Sequence, residues 1–177
     1  GRRHVACVGL TAMPESAEQV RRRAIALAGS HGLATKASSF VPVSPRMPEG
    51  GAAVVHLLME RPKRDRPDVI LIPDDHLIAG VTRGLVEAVG DAAGDVLVIA
   101  QANYPLLPSG KVPVVPLGVD TRELLVVAVH QLGRVHAGQR MAGTTTVPVR
   151  FEEELTPVDL PMLVEAIPGT DKSTLVL

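Results

Sequence analysis

The chain has 177 residues, a net charge of −1, and 46% hydrophobic and 21% charged residues, a composition that belongs to a globular domain and excludes a disordered one. Aromatic residues make up only 2% and Trp is absent, so the chain offers neither the exposed rings nor the basic field that nucleic-acid binding requires. A lone Cys7 rules out a disulfide framework, and no apolar run approaches the roughly 20 residues of a membrane-spanning helix.

Taken in order, strand-like and helix-like segments alternate, the pattern of βαβ units around a parallel sheet. The chain opens at Gly1-Arg2-Arg3 with neither an initiator Met nor a secretory leader, which reads as a fragment or a processed product. Residues 4–10 form a short apolar run and a first strand, with Cys7 inside it as a core thiol in a reducing compartment. Pro14 and Glu15 open a helix to about residue 31, stopped by Gly32. Residues 34–43 predict a second strand, 49–61 a helix that ends at Pro62, and 62–67 a polar loop. Residues 69–72 are the third strand, 76–89 the third helix, and 95–101 a fourth strand apolar enough to be central.

Residues 104–111 read as a loop and 112–119 as extended chain. Asp120 is the expected N-cap of a helix over 121–136, ended by Gly138. That helix is apolar on every side through 124–129, with Leu132 and Val135 beyond, so it requires burial on every side. Residues 144–151 are rich in β-branched side chains and predict a last strand, confined to a sheet edge by Pro148. One domain is expected over 1–154, followed by a tail of unknown structure over 155–177.

The most informative stretch is Arg66-Pro67-Asp68-Val69-Ile70-Leu71-Ile72-Pro73-Asp74-Asp75-His76, a buried strand running into a turn with two carboxylates at the start of a helix. In an open parallel sheet, ligands bind beyond such strand ends. Asp74-Asp75-His76 could suggest a metal site or an acid–base pair. Adjacent carboxylates diverge at a turn, however, and no second cluster supplies further ligands, so helix capping by Asp74 or Asp75 is the preferred reading. Arg21-Arg22-Arg23 is most simply a solvated helix face within reach of Glu18, with effector binding as the sharper alternative. No nucleophile elbow, phosphate loop or dinucleotide fingerprint occurs, so the chain is read as a non-enzyme without cofactor or metal.

Four blocks, in order and together spanning 1–153, resemble the effector-binding region of the lactose-repressor/galactose-repressor (LacI/GalR) family. Gly1-Arg2-Arg3-His4-Val5-Ala6-Cys7-Val8-Gly9 is similar to the Gly-His-Arg-Arg-Ile-Ala-x-Ile-Gly start of that family's second lobe. The stretch 66–85 resembles its Arg-Pro-Asp-Ala-Ile-x-x-x-Asn-Asp-x-x-Ala-x-Gly run, with Asp74 in the Asn place and Asp75, Gly80 and Arg83 as the pattern has them. Gly94-Asp95-Val96-Leu97-Val98-Ile99-Ala100 resembles the strand that ends in Gly-Phe-Asp-Asp. Residues 112–124 resemble the segment that crosses back to the first lobe. Single blocks are unspecific; their order and spacing carry the resemblance.

The resemblance implies a three-layer α/β sandwich with a mainly parallel sheet, the second lobe and crossover segment of a type I periplasmic-binding-protein-like domain. It implies a cytoplasmic regulator of transcription that closes two lobes on a small effector, sugar-like in that family, and works as a dimer or other homo-oligomer. DNA would be read only by a part absent from this chain, and no membrane is involved. The effector-binding residues it suggests are Thr11, Met13, Arg22, Asp74, Asp75, Ala102, Asn103 and Tyr104. The chain departs from the family where the paired Asp that accept sugar hydroxyls correspond to Ala102 and Asn103, which removes most of that acceptor set. A solute-binding protein of the same fold, or a doubly wound enzyme using Asp74 or Asp75, are the rival readings.

Overall fold

The computed structural model describes residues 4–10, 14–44, 47, 49–107, 109–139 and 143–155. They fall into two compact units. The first comprises the chain up to Ala102 together with Leu107–Pro116, and the second comprises Asn103–Leu106 and the chain from Leu117 onward.

The first unit alternates strand and helix as the sequence predicts: β1 (Val5–Leu10), α1 (Pro14–Ser30), β2 (Phe40–Val43), α2 (Gly50–Met59), β3 (Val69–Ile72), α3 (Ile78–Val89) and β4 (Leu97–Gln101). The strands lie in the order β2-β1-β3-β4, all parallel. Right-handed crossovers then place α2 and α3 on one face of the sheet and α1, which carries the chain the other way, on the opposite face. This is a doubly wound α/β fold.

The two faces are packed unequally. On the α2–α3 face, the registered rows Ala6–Ile70–Val98 and Val8, Ile72 and Ala100 are buried, and Val55, Leu58, Val81 and Leu85 close over them. The alternate row Phe40–Cys7–Leu71–Ile99 is only half-buried. Glycines set the α2–α3 approach: a Cβ on Gly84 would lie 2.5 Å from the Ala52 Cα, and one on Gly51 would lie 3.1 Å from a Val81 methyl.

β5 (Val114–Gly118) follows β4 in the sheet order and begins in the first unit. In the second unit its last residues pair antiparallel with β6 (Arg150–Phe151), Leu117 opposite Phe151 and Gly118 opposite Arg150. The sheet is therefore mixed but mostly parallel. α4 (Thr121–His136) begins at Asp120 as expected: the Asp120 carboxylate accepts from the Arg122 backbone N–H at 2.9 Å and from its guanidinium at 2.7 and 3.0 Å.

Three expectations are corrected. The strand expected over 34–43 is confined to Phe40–Val43, because Ala37–Ser39 form a 3₁₀ turn. Arg61 holds that turn by donating to the Ser38 carbonyl at 2.7 Å and to the Ser39 hydroxyl at 3.3 Å, so local hydrogen bonding wins over the ladder. The strand expected over 144–151 is confined to Arg150–Phe151; the Thr run has β propensity but, among the described residues, no strand beside it to pair with. The helix expected from His76 begins at Ile78, after a 3₁₀ turn over Asp75–Leu77. α4 departs from its sequence in another way: an apolar helix predicts burial, yet none of its residues is fully buried.

Candidate functional site

Strand order locates the site before any side chain is considered. From β1 the chain proceeds to β2 on one side and arrives at β3 on the other, so β1 and β3 flank the point where the winding reverses. Beyond the carboxyl ends of two such strands the connections diverge and leave a crevice. The β3 side of this crevice is Pro73-Asp74-Asp75-His76. The β1 side begins after Leu10; Thr11 and Met13, expected to bind an effector, lie outside the described residues. Close approach of the two strand ends depends on Gly9, where a Cβ would lie 2.9 Å from the Pro73 ring.

The turn is held by its own carboxylates. Asp74 Oδ1 accepts from the His76 backbone N–H at 3.0 Å, capping the 3₁₀ turn that leads into α3, as the sequence reading preferred. The His76 ring Nδ1 lies 3.0 Å from Asp74 Oδ1 and 2.9 Å from Asp75 Oδ1. Asp74 is thus committed to the backbone, while Asp75 is tied, among the described residues, to an imidazole whose side chain is 79% exposed. A ligand hydroxyl or amine that displaced His76 would find a carboxylate already at the start of a helix, where the partial positive charge of the N–H groups favours an acceptor. The three donor atoms lie within 4.8 Å of one another, but three consecutive residues at a helix start cannot surround an ion.

The remaining expected residues are not drawn into one group. Arg22 is exposed on α1, and its Nε donates to Glu18 at 2.8 Å; Arg21 donates to the same carboxylate at 2.6 and 2.7 Å. Hydrogen bonds from Arg21 and then Arg22 hold Glu18 down at about 2. This is the solvated, paired face that the plainer reading predicts. Ala102, just past β4, is buried at 2% exposure. Asn103 is exposed.

Tyr104 is also buried, and its hydrogen bonds run within the second unit. Its backbone N–H donates to the Val119 carbonyl, its carbonyl accepts from Thr121, and its hydroxyl donates to the Arg150 carbonyl at 3.4 Å. Burial pushes the phenol above its ordinary range.

Sequence reasoning missed the partners. The sequence offers His76 as part of a metal pattern, whereas its ring bridges the two carboxylates. The proximity of Gly9 to Pro73 requires strand pairing to see. Cys7, the one thiol, sits mid-strand with burial pushing it up to about 11, far from the range of a nucleophile at neutral pH.

No family model matches the chain, and no curated protein matches its sequence. Solved structures do resemble it. One is a crystal structure of a LacI family transcriptional regulator from Lactobacillus casei with bound sucrose, at 20% identity and a TM-score of 0.64, covering 86% of this chain and 56% of that one. Structures described the same way with bound glucose and with bound TRIS give TM-scores of 0.63 and 0.61 at 19% and 22% identity. The chain spans little more than half the length of these regulators. Over that span the likeness is one of fold, an α/β architecture with a mixed, mostly parallel sheet.

Proposed function

We propose that this chain is the C-terminal, effector-sensing and oligomerising part of a LacI/GalR-like transcription regulator, and that it is not catalytic. The observation that carries the reading is the fold likeness to such regulators over 86% of the chain, with an open turn of two carboxylates at the place where this fold binds ligands. The effector is a small polar molecule that donates hydrogen bonds to Asp75. The chain lacks the family's paired acid after β4, having Ala102 and Asn103 there, so the effector's recognition shifts toward the β3 turn. Thr11, Met13 and Asn103 remain candidate contacts; Arg22, Ala102 and Tyr104 are weaker ones, because the side chains of Arg22 and Tyr104 are bonded elsewhere and Ala102 is buried.

In this reading, ligand binding shifts the population of two lobes between open and closed arrangements, and a DNA-reading head outside this chain responds. No helix among the described residues is long and apolar enough to cross a membrane, and a cytoplasmic setting is part of the proposal. The exposed aliphatic stripe of α4, Leu124, Leu125, Leu132 and Val135, supports an oligomer or an exchanged segment that covers it. A monodisperse monomer by light scattering at high concentration would count against that.

The reading is tested by the reading frame upstream of Gly1. A helix-turn-helix followed by a first lobe supports the regulator. A signal peptide and first lobe without that head would make the chain part of a solute-binding protein instead, with the same fold and the same turn.

A further inference from the structure

The chain passes between its two units at Ala102/Asn103, Leu106/Leu107 and Pro116/Leu117. Between the second and third passages, Leu107–Pro116 returns to the first unit, and one side chain on α3 receives it. Thr82 is fully buried, and its hydroxyl donates to the Ile78 carbonyl at 2.7 Å. With its single proton committed there, the oxygen can only accept from elsewhere. It accepts the Lys111 backbone N–H at 3.0 Å. The loop lies directly on this side chain: a Cβ on Gly110 would come within 3.0 Å of the Thr82 methyl and 3.2 Å of its oxygen. A buried hydroxyl in mid-helix is otherwise a poor choice for a site that an aliphatic residue would fill.

We propose that Thr82 is a latch. It positions the returning segment on α3, and its release frees the chain between Leu107 and the start of β5 to rearrange while the sheet of the first unit stays folded. The latch bond is one backbone N–H on one hydroxyl, placed on the helix that begins at the Asp74–Asp75 turn. The proposal holds whether or not the chain senses a ligand, because it concerns only the first unit and the segment seated on it.

Native-state hydrogen exchange on the full chain tests this. The Lys111 amide is expected to exchange through a local opening that is insensitive to low denaturant, while the Ile70 and Val98 amides exchange only with global unfolding. Thr82→Val should speed Lys111 exchange by about 5- to 30-fold, the range a single lost hydrogen bond commands, and Thr82→Ser, which keeps the acceptor, should restore the wild-type rate. Gly110→Ala should also loosen the latch by pressing on the Thr82 methyl and oxygen and on the Val112 carbonyl, and Thr82→Ser in that background, lacking the methyl, should recover it in part. If Thr82→Val fails to fold, this second pair decides. Lys111 exchange that follows global unfolding, or that is indifferent to both Thr82→Val and Gly110→Ala, would overturn the latch.

Discussion

The α2–α3 face of the first unit and α4 of the second are made from the same aliphatic residues and use them in opposite ways. On α2 and α3, Val55, Leu58, Ile78, Val81 and Leu85 are buried to within 1% of complete. On α4, Leu124, Leu125, Leu132 and Val135 remain between 47% and 68% exposed, at the i, i+3, i+4 spacing of a single stripe with Ala128. Apolar content makes a helix; it does not supply what the helix packs on. α2 and α3 meet because Gly84 lets the backbone at Ala52 come close, because Gly51 makes room for the Val81 methyl, and because parallel strands lie beneath both. α4 has a capped start and an anchoring ion pair between Glu123 and Arg150, and no such floor among the described residues.

The difference can be broken at its strongest point first. Leu85→Ala should lower unfolding stability by about 3 kcal/mol in a urea titration, the usual cost of a buried leucine cavity. Gly84→Ala should cost about 2 kcal/mol by forcing the two helices apart. If either were neutral, the close α2–α3 packing would not be what holds the first unit.

A polar substitution at α4 belongs at the other end of the scale. Before it comes Asp120→Ala, which removes the α4 cap and should cost about 1 kcal/mol. Its pH dependence has a defined sign. The Arg122 guanidinium, and then the Arg122 backbone N–H, hold the Asp120 carboxyl below its usual range. A depressed folded pKa means the contribution is present above the unfolded value of about 3.9 and is lost as pH falls through the folded one. The stability difference between wild type and Asp120→Ala should therefore be flat near neutrality and shrink below about pH 4. Leu132→Glu should then change stability by no more than about 0.5 kcal/mol while reducing any self-association seen by light scattering; a loss the size of Leu85→Ala would mean the stripe is already covered within the chain.

Cys7 offers a smaller, chemical check on the half-buried row. With its thiol pushed up to about 11, alkylation by iodoacetamide in native protein should be slow at pH 8 and should keep accelerating through pH 9 and 10. A rate that levels off near pH 8.5 would show an ordinary, solvated thiol.

Much of this was legible in the sequence. Val69-Ile70-Leu71-Ile72 between Pro67 and Pro73 can hardly be anything but a buried strand, and Asp74 before His76 carries a capping signal that the turn bears out. Asp120 before Thr121 is as plain. What failed depended on partners that no local pattern encodes. The run at Thr144 has no strand beside it among the described residues, and Ser38-Ser39 gain an arginine, Arg61, from just past the end of α2. The candidate site was half readable: its carboxylates stand in the sequence, but the strand order that makes their turn the mouth of a crevice, and the burial of Ala102 and Tyr104, emerge only from long-range pairing.

The central claim is that Asp75 at the β3 turn receives a small polar effector. Its most direct measurement is a thermal-shift titration of the intact protein against a panel of sugars and amino alcohols, sucrose, glucose and TRIS among them, with Asp75→Asn in parallel. The account predicts a saturable rise in Tm with at least one member of the panel, lost in Asp75→Asn while the ligand-free Tm stays put. A panel without effect, or a shift that Asp75→Asn leaves intact, would contradict it.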